Sequence, residues 1–500
     1  MVDFNLVPLL PEIFLAITAM GLLIVGAFHG NESTRAICWA SAIGVVVTGF
    51  ILLGLDWNER HVLNNMFVFD QFSGLMKVII LLGVLASLAL SVRYIIQEGI
   101  ERFEYPILLL FAGIGMMIMV SANNMLSLYM GLELQSLSLY VLAAIHRNSS
   151  KSAEAGIKYF ILGALSSGLL LFGISLIYGF TGSVDFDVIG RSLMSVETIP
   201  QGVTFGLVLI LAALAFKISA VPFHMWTPDV YQGAPTSVTA FFAMVPKIAA
   251  MGLLMRLLLD PFAAAFDQWM QIIYFVSLMS MIVGGFAALV QEDIKRLLAY
   301  SSIGNMGYAL IGLVAGTAEG AGAVILYLFI YMIMTAGTFA VVMCMRRNGM
   351  AVYKISDLSG LSKNSPVLAY VLLVLMFSMS GIPPMAGFFG KLVVFNAAVD
   401  QGYYILATLG VITSVIAAYY YLRIVKVMFF DDAVDAFDKE LPLARRVVML
   451  FSVVFVLCFV FKPSPFMSMS LSAADSLFSN AAIMSAPAGD DAQSLEPAAG

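Results

Sequence analysis

The chain has 500 residues, of which 61% are hydrophobic and 11% charged, with a formal net charge of −6. A soluble domain is roughly half apolar and about a quarter charged, so no soluble core absorbs this composition, and no nucleic-acid partner is expected. The apolar residues fall in runs of about 18 to 25, the length a helix needs to cross a bilayer, and runs such as Ile107 to Val120 do not alternate as the strands of a β-barrel would.

The N-terminal stretch from Met1 to Phe14 lacks a basic region and carries Asp3 and Glu12, so it reads as the start of a retained helix and not as a cleaved signal. Apolar periodicity then predicts an all-α polytopic membrane protein with 14 transmembrane helices, at about 8–28, 36–55, 71–94, 105–121, 124–145, 154–180, 203–233, 236–258, 267–290, 294–316, 321–346, 366–398, 402–426 and 445–462. This division alternates the basic residues cleanly. Of the 25 Lys and Arg, sixteen fall in the loops after odd-numbered helices or at the helix ends beside them, four on the opposite side and five, Lys77, Lys158, Lys217, Lys247 and Lys391, deeper within helices. By the positive-inside rule both termini are expected to lie outside the cytoplasm.

Helices 7 and 12 are expected to be discontinuous. Helix 7 contains Val221-Pro222 and Thr227-Pro228, and helix 12 contains Gly381-Ile382-Pro383-Pro384 followed by Gly387 and Gly390. Proline removes a backbone donor and clashes with the turn before it. The two breaks lie five helices apart, which predicts two inverted five-helix repeats, helices 4–8 and 9–13, an architecture of transporters with the ion path beside the breaks. On this division residues 1–104 hold helices 1 to 3, 105–258 the first repeat and 267–430 the second; 445–484 form helix 14 and a C-terminal segment, and 485–500 a disordered tail.

Four charged residues fall near mid-membrane: Glu133 in helix 5, Lys217 one turn before the first break, Lys247 in helix 8 and Lys391 two turns after the second break. Each costs about 2.5–3.5 kcal/mol on insertion scales, and intramembrane charge marks proton or ion paths. One glutamate cannot neutralise three lysines, so a purely structural strut is a poor account and the lysines read as switchable proton sites. Lys217 closes one half-helix and Lys391 follows the other break, so the two are expected to face opposite ends of a half-helix dipole. Lys158, with Glu154 one turn earlier, either reaches the interface or joins the path. His224, just past the first break, is a relay or a hydrogen-bonded structural residue. Tyr300, Ser301 and Ser302 either line a hydrated path or bond between helices. Lys77 reads as a snorkelling lysine, and Arg256, Asp229 and Glu104 near helix ends as structural. Cys38, Cys344 and Cys458 lie far apart without metal-ligand spacing, so they read as packing residues.

The run Lys217-Ile-Ser-Ala-Val-Pro-Phe-His-Met-Trp-Thr-Pro-Asp-Val-Tyr-Gln-Gly-Ala-Pro-Thr236 closely resembles the broken-helix signature of the antiporter-like subunits of respiratory complex I, relatives of the large subunits of Mrp-type sodium/proton antiporters. Glu133, Lys247, the run Asp293-Ile-Lys-Arg-Leu-Leu-Ala-Tyr-Ser-Ser302 and Gly387-Phe-Phe-Gly-Lys391 extend the resemblance over nearly the whole chain. Lys at 391 and the end after helix 14 fit the subunit N family of the bacterial enzyme best. The resemblance implies a Glu133–Lys217 pair, Lys247 as a central connecting site, Lys391 at the exit end and participation of Lys158. It further implies a proton-translocating subunit of NADH-quinone oxidoreductase among other membrane and peripheral subunits, including neighbouring antiporter-like ones. This chain would carry no cofactor, and NADH, FMN, iron–sulfur clusters and quinone would be bound by its partners. A Mrp-type sodium/proton antiporter subunit is the alternative; a passive membrane scaffold leaves the buried lysines unexplained.

Overall fold

A computed structural model gives the fold and describes residues 6–485; of the tail expected at 485–500, all but Ser485 lies outside the described residues. The chain begins with α1 (Leu10–His29), α2 (Thr34–Leu53) and α3 (Gln71–Gln97). Next come α4 (Glu104–Val120), α5 (Met125–Ala143), α6 (Ser150–Thr181), the short α7 (Phe186–Met194), α8 (Gln201–Lys217), α9 (Trp226–Gly233) and α10 (Thr236–Leu259). The second set holds α11 (Phe266–Leu289), α12 (Ile294–Val314), α13 (Ala318–Val342), the one-turn α14 (Leu361–Asn364), α15 (Pro366–Ser380), α16 (Ala386–Asp400) and α17 (Tyr404–Phe430). Finally, α18 (Leu443–Cys458) and α19 (Ser464–Ser485) close the described chain. Two small antiparallel hairpins, β1 (Arg60–Val62) with β2 (Phe67–Phe69) and β3 (Arg346–Arg347) with β4 (Met350–Ala351), join helices outside the bundle.

Ten helical stretches are long and apolar enough to cross a membrane, the first of them, Val7–Leu53, joining α1 to α2; Glu104–Val120, Gln201–Lys217 and Pro366–Ser380 are shorter apolar helices. Loop chemistry sets their starts. Asp70 accepts from Ser73 N and caps α3, Asn124 accepts from Leu126 N and caps α5, and Asp293 accepts from Lys295 N and Arg296 N at the start of α12. Burial sets their places. Every residue of α10 is buried, as are nearly all of α12 and α13, whereas Ile17, Ile24, Phe28, Ile43 and Phe50 on α1 and α2 are exposed, as side chains facing lipid must be. These three helices therefore form the interior of the bundle, with Lys247 on α10 and Ser301, Ser302 and Asn305 on α12.

One sequence expectation fails in this part of the fold. Lys77 does not snorkel: it is fully buried, its ammonium lies 2.8 Å from Glu12 of α1, and the rings of Phe67 and Phe69 cover it at 4.5 and 4.8 Å. The reason is tertiary, because β2 folds back over the start of α3 and closes the route by which the side chain would reach water.

Candidate functional site: a row of buried lysines beside two helix breaks

The seventh predicted span is two helices, α8 and α9, and the twelfth is α15 and α16. Both first halves end in the same way. Ser219, at φ 63°, donates from its N–H to Phe216 O (3.1 Å) while Ala220 N–H donates to Ala215 O (2.8 Å). Gly381, at φ 87°, donates to Ser378 O (3.0 Å) while Ile382 N–H donates to Phe377 O (3.1 Å). A left-handed residue followed by a bond reaching back five residues is the Schellman ending, which satisfies the last carbonyls of a helix. A proline stands three residues after the left-handed residue in each case, at Pro222 and Pro384, and prevents the helix from resuming.

Close approach across the second break requires glycine. A Cβ on Gly387 would lie 2.0 Å from Ser378 O, while Gly387 N–H donates to Ser378 Oγ at 3.1 Å. Gly387→Ala is therefore expected to push α16 away from α15, destabilise the protein by about 1–3 kcal/mol and displace Lys391; thermal unfolding of the purified protein, set against Gly21→Ala, an exposed glycine with open space around it, measures it.

Lys217, Lys247 and Lys391 are 5%, 1% and 5% exposed. Lys217 Nζ donates to Ser136 Oγ (2.7 Å) and lies 3.4 Å from Tyr140 OH. Lys247 donates to Ser302 Oγ beside the ring of Tyr231. Lys391 donates to Ser414 Oγ (2.8 Å) and to the carbonyls of Met379 and Ser380 (3.2 Å each), with the Tyr308 ring 4.8 Å away. Among the described residues none of the three lysines forms an ion pair. Two expectations are thereby corrected. Glu133 accepts from Ser167 Oγ and does not touch Lys217; it stands one turn before Ser136 on α5, close enough to act on Lys217 through its field alone. Lys391 does not face the N-terminal end of a half-helix either, since its long side chain reaches back across the break to the last carbonyls of α15.

Between the lysines lie Ser301 and Ser302, which the sequence singled out, together with residues that sequence reasoning missed. Tyr140, Tyr159, Trp226 and Tyr231 pack ring to ring, with centroids 4.9, 4.4 and 6.3 Å apart in that order, from the Lys217 site to the Lys247 site. On α12, Ser302 meets Lys247; one residue away Ser301 shares a 2.5 Å hydrogen bond with Tyr421, and Asn305 accepts from Tyr327 OH at 2.7 Å. Tyr308, one turn further, contacts Thr413 and Lys391. Tyrosines and asparagine in apolar helices look like packing residues until the fold aims them at one another, so only helical spacing from Ser301 (Ser301, Asn305, Tyr308) could have signalled them.

Other candidates separate from this row. Lys158 is 41% exposed at its side chain and bridges Glu154 and Asp229, both at 2.7 Å, while Arg296 holds the other oxygen of Asp229 at 2.6 Å. Asp229 is thus the hub of a polar cleft of about 150 Å³ bordered by Lys151, Glu154, Lys158 and Gln232. Lys295, at the start of α12, is 2% exposed and donates to Ala234 O (2.6 Å) and Gln232 O (3.1 Å), capping the end of α9. His224 is partly buried with Nδ1 unbonded, and Tyr300 leans toward Arg296 rather than into the row.

Two helices broken in the same manner, with a lysine at each break and a third between them, define the antiporter-like class of membrane subunits. The chain belongs to the NADH:quinone oxidoreductase/Mrp antiporter membrane family, whose model matches residues 122–417. It is 49% identical over 478 residues to the NADH-quinone oxidoreductase subunit N of Paramagnetospirillum magneticum, covering 95% of this chain and 98% of that protein. The subunit N of Parvibaculum lavamentivorans is 51% identical over 471 residues, 94% of this chain and 97% of that one. Among solved structures, a chain of respiratory complex I from Thermus thermophilus with bound aureothin superposes with a TM-score of 0.78 at 31% identity, over 92% of this chain and 98% of that chain. A chain of the Mrp complex from a Dietzia species shares the fold with a TM-score of 0.83 at 23% identity, over 96% and 99% of the two chains.

Proposed function

We propose that this chain is the proton-translocating subunit N of a bacterial NADH-quinone oxidoreductase, embedded in the inner membrane with both termini on the periplasmic side. Quinone reduction in partner subunits drives it, and protons pass along Glu133, Lys217, Lys247 and Lys391. The observation that carries this reading is the set of lysine partners: each ammonium is held by a serine hydroxyl. A hydroxyl accepts from an ammonium and donates to an amine. Each site therefore keeps a hydrogen bond in both protonation states, whereas a carboxylate partner would hold the charge in place. The matching helix endings support the inverted repeat, and the sixteen-to-four division of basic loop residues supports the orientation. The Asp229 cleft, on the side of the basic loops, is the natural place for protons to enter, with Lys158 on its border; His224 lies one helical turn and more before Asp229, just ahead of α9.

Sodium transport is the weaker reading, because the row offers no carboxylate paired with its lysines among the described residues and its few oxygens already surround an ammonium, which repels a second cation. Proton pumping by the assembled enzyme in proteoliposomes, driven by NADH and quinone, is expected to be the same with and without sodium. A strict sodium requirement would overturn the proton reading.

A further inference from the structure

At the end of the bundle carrying the β1–β2 hairpin, five charged side chains are packed almost without access to solvent: Glu12, Lys77, Asp70, Arg256 and Asp260, each 4% exposed or less. Four of them are paired. Lys77 lies 2.8 Å from Glu12, and Arg256 Nη2 donates to both oxygens of Asp70 at 2.9 Å. The fifth, Asp260, in the turn beyond α10, has both carboxyl oxygens buried and without a hydrogen-bond partner. Arg256 Nη1, Ser121 Oγ and both polar atoms of Asn123 are unbonded in the same region. They are tied to it by the chain itself. Arg256 Nε donates to Val120 O, and Val68 and Asn123 pair with Ser121 and Met66 to lengthen the hairpin sheet. An unbonded buried polar atom costs about 1–3 kcal/mol, so several together call for water and for a neutral carboxyl.

We propose that Asp260 is a proton-binding site separate from the lysine row, exchanging its proton with the water on the hairpin face of the membrane. Three acids against two bases leave one surplus negative charge, and a proton on Asp260 removes it. The site is sealed from the row. Between Lys247 and Arg256, α10 presents only apolar residues, Ile248 to Met255, all buried, and Gly252 sits so close to α3 that a Cβ there would lie 2.6 Å from Met76. On the other side Asp260 has Asp187 of α7 and Glu59 of the segment before β1 as charged neighbours. The roof is β1–β2 and α7, whose Asp185 and Asp187 accept from Asn65 at 2.9 and 2.6 Å.

The charged groups around Asp260 are Arg256 on its own helix, Asp70 at the start of α3, Asp187 on α7 and Glu59 before β1; Lys77 and Glu12 neutralise each other, and Asp475 on α19 is exposed. Burial, with the neighbouring acids against the single arginine, pushes the Asp260 carboxyl up to about 7. His61 on β1, bonded to Glu59 at 2.8 Å and raised above the usual imidazole range chiefly by that bond, stands partly exposed in the roof as an exchange partner near neutral pH. Protonated Asp260 leaves Arg256 wholly to Asp70, while ionised Asp260 competes for it. The proton therefore sets how firmly α10, the helix of Lys247, is held to α3.

Asp260→Asn keeps the neutral shape and removes the proton. In infrared spectra of the intact complex in sealed proteoliposomes, the wild type is expected to show a carboxylic C=O band that titrates with a midpoint near 7, and Asp260→Asn to lack it. The band should follow pH on the hairpin face only. An unchanged band in the variant, or a response to pH on the other face, overturns the proposal. Thermal unfolding supplies a second readout. The native carboxyl holds a proton that the unfolded chain gives up above about pH 4, so stability falls as pH rises from there through the native value. The variant should thus equal the wild type below about pH 4 and exceed it at about pH 8. A difference that does not change with pH also overturns it. Neither readout uses pumping, so the result is independent of the proposed function.

Discussion

Lys217→Met is expected to abolish most proton translocation while leaving the protein folded and assembled. Methionine fills the lysine's space with an apolar chain, and Ser136 keeps its own bond to Leu132 O, so the structural cost is one buried hydrogen bond, about 1 kcal/mol. The functional cost is larger. On the proposed path Lys217 takes the proton between Glu133 and the aromatic run toward Lys247, and a missing coupling of about 1.4 kcal/mol or more already means a tenfold loss. Proton uptake and quinone reduction measured together in proteoliposomes test this, and normal pumping would refute the role given to Lys217. Lys217→Arg separates charge from proton transfer. A guanidinium keeps the charge and can bond Ser136 but does not release its proton, so this variant should pump no better than the methionine one.

Arg256→Met is expected to produce the largest loss of stability. Arg256 is fully buried and holds Asp70, which caps α3 through Ser73 N at 2.7 Å, and Val120 O at the end of α4. Removing one partner of a buried ion pair leaves the other charge stranded, at about 3–5 kcal/mol. Arg256 is also the cation that acts on Asp260, so its loss disfavours the ionised form of that carboxyl further. The measurement is thermal or denaturant unfolding, together with the yield of assembled complex. Adding Asp70→Asn should restore much of the loss, because it removes the stranded charge; simple addition of the two single effects would show that the pair is not what holds this end together.

Particular residues show how far each level of structure reached. The long apolar runs placed the predicted spans within a few residues of the helices, because burying a backbone in lipid leaves it only helical hydrogen bonds. The breaks were legible from Pro222, Pro383 and Pro384, since proline's missing donor acts locally. Lysines at mid-depth stood out because charge there is expensive. Where those side chains point was not legible. Lys391 follows its break in sequence yet reaches back to the carbonyls before it, and Glu133 faces Ser167 on α6 instead of the lysine. Lys77 carries the same sequence signature as a lipid-facing lysine, but the hairpin folds over it. The helix α7, the hairpins and α19 beyond Lys462 also escaped, since short amphipathic pieces lying on a bundle carry little periodicity.

By itself the sequence determined the membrane class, the helix positions, both breaks and the identity of the buried charges, because each rests on local composition and on the physics of a chain in hydrocarbon. Only the tertiary structure decided which hydroxyl meets which lysine, that Asp229 joins Lys158 to Arg296, and that Asp260 is left over among five buried charges. Those are contacts between residues up to 186 positions apart, as in Asp70 with Arg256, and no local pattern specifies them.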